Sequence, residues 1–111
     1  MDAHIKKVYV PMTETGFYIL LCLRKPNHGY GIIQEVQELT DGRVVLGPGT
    51  LYGAMQTMTA RGWIRIYSEE TDSRKKKEYI ITDTGKQVFA EEKRRLEELL
   101  RNAERMEEGT W

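Results

Sequence analysis

From Phe17 to Leu23 the chain reads Phe-Tyr-Ile-Leu-Leu-Cys-Leu, apolar at every position, before Arg24, Lys25 and Pro26 stop the run. Thr13 is placed to cap a helix there. A helix apolar nearly all round needs cover on more than one side, and in so short a chain part of that cover is expected from a second copy. A second helix is predicted after Asn27, its expected cap: Ile32, Ile33, Val36 and Leu39 recur at helical spacing, Gln34, Glu35, Gln37 and Glu38 face water, and Gly42 ends it. Val44-Val45-Leu46 is a short apolar piece suited to pairing as a strand. Gly47-Pro48-Gly49 then turns the chain into a third helix, with Pro48 near its first position. Leu51, Ala54, Met55 and Met58 form one face of that helix. Thr50, Tyr52, Gly53, Gln56, Thr57 and Arg61 form the other, none of them acidic, and Gly62 is its stop.

The period then changes. Residues 63–68 (WIRIYS) alternate, with Ile64 and Ile66 on one side and Trp63, Arg65 and Tyr67 on the other, which predicts a half-buried strand. Residues 77–82 (KEYIIT) are its expected antiparallel partner, across a polar turn with Asp72 and Ser73 near the tip. Thr82 can cap a last helix from about Asp83 to Met106, along which Val88, Phe89, Leu96, Leu99, Leu100, Ala103 and Met106 make a broken apolar stripe. Glu91, Glu92, Lys93, Arg94, Arg95, Glu97 and Glu98 are expected to cover the rest with mixed charge. Three helices, a hairpin and a long helix define a mostly α, α+β chain: a winged helix-turn-helix with a long C-terminal dimerisation helix. The expected divisions are an N-terminal arm at 1–12, a winged helix-turn-helix domain at 13–82 and the C-terminal helix at 83–111.

Composition narrows the class. At 111 residues, 40% hydrophobic and 31% charged, the chain fits one folded domain rather than a disordered segment. Its longest apolar run is far too short to span a membrane and no leader pattern precedes it, so a cytoplasmic location is expected. The single cysteine, Cys22, lies in the apolar run and is expected to be a buried thiol. Net charge is zero, but by cancellation: residues 1–41 carry −1, residues 42–77 carry +4 and residues 78–111 carry −3. Between Asp41 and Glu69 there is no acidic residue, while Arg43, Arg61 and Arg65 occur there and the tract Arg74-Lys75-Lys76-Lys77 follows. The middle of the chain is basic, as a surface facing phosphates must be.

These features point to double-stranded DNA. A major groove admits one α-helix, which reads base edges while basic side chains hold it on the phosphates. The third helix fits that role, with Thr50, Tyr52, Gly53, Gln56, Thr57 and Arg61 toward the bases and backbone. Arg65, Arg74, Lys75, Lys76 and Lys77 on the hairpin suit phosphate contact beside the groove. Phe17, Leu20 and Leu21 of the first helix, with Phe89, Leu96, Leu99, Leu100 and Ala103 of the last, are the expected homodimer interface. A protein-docking module using the same surfaces is the alternative. His4, His28 and Cys22 lack ligand spacing, so no metal or cofactor is expected. Gly47-Pro48-Gly49-Thr50 lacks the lysine of a nucleotide-binding loop and no nucleophile-base constellation is visible, so an enzyme is not expected.

His28-Gly29-Tyr30-Gly31-Ile32, Gly49-Thr50-Leu51-Tyr52, Arg61-Gly62-Trp63-Ile64 and the set Tyr79, Thr82 and Gly85 occur in that order between Met12 and Gly85. Together they resemble the PadR family of transcriptional regulators. The resemblance implies a winged helix-turn-helix repressor, dimeric through its first and last helices, on a palindromic operator. A single C-terminal helix is similar to the small subfamily that includes multidrug-responsive regulators, which brings in a small-molecule effector. In those proteins the ligand stacks on an aromatic residue between the two C-terminal helices. The comparable position here is Leu96, so that platform is missing.

Overall fold

The computed structural model describes residues 12–68 and 77–110. The arm up to residue 11, the hairpin tip at Asp72 and Ser73, the basic residues Arg74, Lys75 and Lys76, and Trp111 lie outside the described residues. In chain order the elements are α1 (Glu14–Cys22), α2 (Gly29–Leu39), α3 (Pro48–Ala60), β1 (Ile64–Ser68), β2 (Glu78–Ile81) and α4 (Asp83–Glu107). The chain is thus mostly helical with one small antiparallel hairpin, as the periodicities predict.

The helix starts follow from local chemistry. The Thr13 and Thr82 hydroxyls each accept a hydrogen bond, at 3.0 Å, from the glycine amide three residues on, Gly16 and Gly85, and so cap α1 and α4. At α2 the expected cap moves by one residue. His28 is the N-cap, its Nδ1 accepting from the Gly31 amide at 3.0 Å, while the Asn27 side chain accepts from the His28 amide at 2.9 Å and donates to Glu35 at 3.1 Å. Asn27 is held back because its own backbone is engaged elsewhere: it exchanges two hydrogen bonds with Tyr79 of β2, at 3.1 and 2.8 Å. Ile81 also donates to the Leu23 carbonyl at 2.9 Å, so the hairpin is laced to the α1–α2 connection.

Val44-Val45-Leu46 forms no strand. Among the described residues its backbone pairs with no strand: the Val44 amide donates instead to the Thr40 hydroxyl, and only Leu46 of the three is buried. Trp63 likewise departs from the alternation. It precedes β1 and is buried, its amide donating to Met58 and its carbonyl accepting from Thr82, both at 2.9 Å. Within β1 only Ile64 reaches the core, and Ile66 is 41% exposed, because the hairpin leaves the globule after its first pair, Ile64 opposite Ile81.

One apolar core joins α1, α2, α3, the root of the hairpin and the start of α4, centred on Ile19, Leu20, Leu23, Ile32, Leu51, Ile64 and Val88. Leu39, expected on the core face of α2, is exposed at its C-terminal end. Gly85 allows the entry of α4: a Cβ there would stand 2.2 Å from the Trp63 carbonyl oxygen. Among the described residues no helix is long and apolar enough to cross a membrane. Cys22 is buried, and desolvation pushes its thiol up to about 12, too high for a reactive thiolate.

Candidate nucleic-acid interface

Leu51, Met55 and Met58 turn one side of α3 into the core, which fixes its other side outward. Thr50, Tyr52, Gly53, Gln56, Thr57 and Arg61 are all exposed there. Its N-cap residue is Gly47, which offers no side-chain cap, so the first amides of the helix are not occupied by a capping side chain and its positive dipole end is open. Gly49 and Gly53 face open space, and added Cβ atoms would meet nothing within 4 Å. Packing inside the protomer therefore does not require glycine at either position, although Gly within a helix costs roughly 0.5–1 kcal/mol relative to Ala. A backbone kept bare on this side suits close approach by something outside the chain.

The flanking basic groups are placed at the far end of α3 and on the hairpin. The Arg61 guanidinium lies 5.2 Å from the Trp63 ring centroid, which anchors it where α3 passes into β1. Arg65 is exposed on β1 and donates to the Ile66 carbonyl at 3.2 Å, and Lys77 is exposed just before β2. Arg43, between α2 and α3, is drawn to Glu14 of α1 in an ion pair, so that part of its charge is answered within the chain. The structure thus brings six of the predicted residues onto one side of α3 and sets Arg65 and Lys77 on the adjoining hairpin.

The predicted dimer residues divide. Leu20 is fully buried in the protomer's own core and has no surface to offer a partner, which corrects its assignment to an interface. Phe17 and Phe89 are partly buried and stack on each other, centroids 4.7 Å apart, between α1 and α4; Leu21 is also partly buried. Leu96, Leu99, Leu100 and Ala103 are exposed on the distal part of α4. The buried residues of α4 are Gly85, Val88, Glu91 and Glu92, all in its first half, so among the described residues the remaining turns carry an apolar stripe that is left exposed.

Two features went unread in the sequence. Glu91 and Glu92, expected to be solvated, are buried. Glu92 takes a forked pair of hydrogen bonds from Arg95, at 2.6 and 2.9 Å, and a third from the Met12 amide at 3.1 Å. The Arg95 guanidinium, opposed by desolvation and assisted by the Met12 amide, holds this carboxyl below its usual range. Its place among Phe89 and Leu96, at helical spacing on the apolar stripe, was the available signal. The second feature is Gly29, the first residue of α2, over which the tip of the Tyr52 ring is packed. Nothing in the local sequence pairs these two residues.

Three comparisons bear on this arrangement. Residues 19–91 match the family model for the transcriptional regulator PadR-like family. Over 74 residues the chain is 30% identical to the transcriptional regulator YqjI of Escherichia coli K12, a stretch that is 67% of this chain but only 34% of that protein, so the chain spans about a third of the relative's length. Its structure is similar to a PadR family transcription regulator of Clostridium difficile R20291, with 26% identity and a TM-score of 0.71 over 85% of this chain and 98% of that one. It is also similar to Bacillus subtilis PadR in complex with operator DNA, with 26% identity and a TM-score of 0.59 over 68% of this chain and 44% of that one.

Proposed function

The chain belongs to the PadR-like family of transcriptional regulators, and on that premise we propose that it is a sequence-specific DNA-binding repressor acting as a homodimer. The observation that carries this reading is the outward side of α3: polar, free of acidic groups and bare at Gly49 and Gly53, with exposed Arg65 and Lys77 beside it. In this reading α3 enters the major groove, Tyr52, Gln56 and Thr57 meet base edges, and the hairpin holds phosphates. Residues 13–82 form the DNA-binding part and residues 83–111 the dimerisation helix. The solved complex of the Bacillus subtilis relative with operator DNA supports the choice of ligand.

The dimer rests on the stripe of α4. Phe89, Leu96, Leu99, Ala103 and Met106 recur at alternating intervals of three and four, broken by the buried Glu92, which is the spacing of a helix-on-helix seam. A dimer of this kind places its two α3 helices in successive major grooves, with half-sites about 34–36 Å apart on a two-fold symmetric operator. Repression follows from obstruction, since a protein seated there excludes what would bind the same DNA. A small-molecule effector fits the cavity of about 360 Å³ between α1 and α4, lined by Phe17, Tyr18, Arg95 and Leu96 among others.

Binding of the purified chain to a labelled duplex of random sequence, followed by fluorescence anisotropy from low to moderate salt, tests the polyanion as partner. Counterion release by several phosphate contacts gives a steep decline of log K with log salt. A flat response, or no binding at low salt, would transfer the surface to a protein partner.

A further inference from the structure

Gly29 opens α2 and is buried, yet its backbone does not call for glycine, since its φ is not in the left-handed region. What requires it is Tyr52. A Cβ on Gly29 would stand 2.3 Å from the Tyr52 Oη, 2.6 Å from Cζ and 2.9 Å from Cε1, all shorter than real contacts allow. The far end of the ring thus lies directly on the first residue of α2. Tyr52 as a whole is nevertheless 51% exposed on the outward side of α3. A half-exposed tyrosine on a helix surface ordinarily samples several rotamers and loses that freedom on binding. Here the missing side chain of Gly29 provides a seat that gives the ring one direction before any ligand arrives.

The two glycines of His28-Gly29-Tyr30-Gly31 then have separate tasks. Gly31 clears the Asn27 side chain, whose amide oxygen would be 2.2 Å from an added Cβ, and so serves the start of α2. Gly29 serves α3. The geometry points to Gly29 as a positioning residue for sequence recognition: by seating the tip of the Tyr52 ring it fixes the direction in which the exposed remainder of the ring is presented on the outward side of α3, and the Gly29–Tyr52 pair determines specificity rather than stability. This rests on the DNA-binding reading above. Because the obstructed atoms are the tip of a half-exposed side chain, a methyl group at position 29 expels the ring without unfolding the helix, and alanine at a helical φ is otherwise tolerated better than glycine.

The test is a double-mutant cycle in the full chain with Gly29→Ala, Tyr52→Ala and both together. It is read on a duplex enriched by the wild-type chain from a random pool, on a scrambled duplex, and by thermal unfolding. Gly29→Ala and Tyr52→Ala are each expected to weaken binding to the enriched duplex about tenfold, the double variant no more than Tyr52→Ala alone, with scrambled-duplex affinity within about twofold throughout. Thermal midpoints should stay within a few degrees of wild type, and Gly29→Ala should raise the midpoint in the Tyr52→Ala background by about 3 °C. Equal losses on both duplexes, or a Gly29→Ala penalty that persists without Tyr52, would show that Gly29 is structural only. A wild-type chain that binds and enriches nothing overturns the regulator reading, and this inference with it. Binding with enrichment but no effect of Gly29→Ala overturns this inference alone.

Discussion

Helices α3 and α4 both leave a long face outside the protomer, and the two faces are opposite in chemistry. That of α3 carries hydroxyls, an amide, a phenol and bare backbone, with no acidic residue. That of distal α4 carries Leu96, Leu99, Leu100 and Met106 between glutamates and arginines of both signs. A polar face free of negative charge gains little from meeting another protein surface and much from a polyanion, where each phosphate neutralised releases counterions. An apolar stripe flanked by mixed charge gains from burial against a like stripe, at roughly 25 cal/mol per Å² of apolar surface. In the proposed reading the chain divides these two surfaces between two kinds of partner, DNA at α3 and a second copy at α4, and tight operator binding depends on both.

Disrupting the α4 side should therefore do most harm. Leu99→Glu with Leu100→Glu is expected to give a monomer by sedimentation at concentrations where the wild type is dimeric. Operator affinity should fall by about 100-fold or more, because two linked half-sites become one. Replacing Lys75, Lys76 and Lys77 with glutamine acts on the other side; it should weaken enriched and scrambled duplexes alike, by about tenfold in low salt, and flatten the salt dependence by about one unit for each phosphate left without its lysine. Gln56→Ala separates base reading from dimer formation within the same scheme, since it should cost several-fold on the enriched duplex and almost nothing on the scrambled one, leaving the dimer unchanged.

The smallest effect is expected away from both faces, in the first half of α4, where Glu92 ties that helix to the lead-in of α1 through the Met12 amide. Glu92→Gln should lower stability by about 1 kcal/mol at neutral pH, measured by denaturant titration. The native carboxyl sits below its unfolded value, chiefly through Arg95. Its contribution is thus fully present above the ordinary carboxylate range and is lost as pH falls through the lower folded value, so the gap between wild type and Glu92→Gln should close in acid. A gap that widened in acid would reverse the assignment.

Element order, both threonine caps, the Pro48 start and the side of α3 that faces outward were legible in the sequence, because each depends on spacing within a few residues. What was not legible depended on distant partners. Leu20 and Leu21 are indistinguishable in a helix apolar all round, yet one is core and the other sits at its edge. Asn27 and His28 are both able to cap α2, and the choice is made by Tyr79, far along the chain. Val44-Val45-Leu46 has the composition of a strand and finds no strand partner among the described residues. Glu92 looked like one more surface charge until Arg95 and the Met12 amide closed around it. The pairing of Gly29 with Tyr52 belongs to the same class, a contact between two motifs that are each readable alone.

Selection of duplexes from a random pool by the wild-type chain, with the stoichiometry of the retained complex measured on the enriched sequence, puts the dimeric DNA-binding reading to its hardest trial. A dimer that reads DNA through its two α3 helices should retain an inverted repeat with half-site centres about one helical turn apart, bound by two chains per duplex. Retention of unrelated sequences, or of a single half-site by one chain, would contradict it.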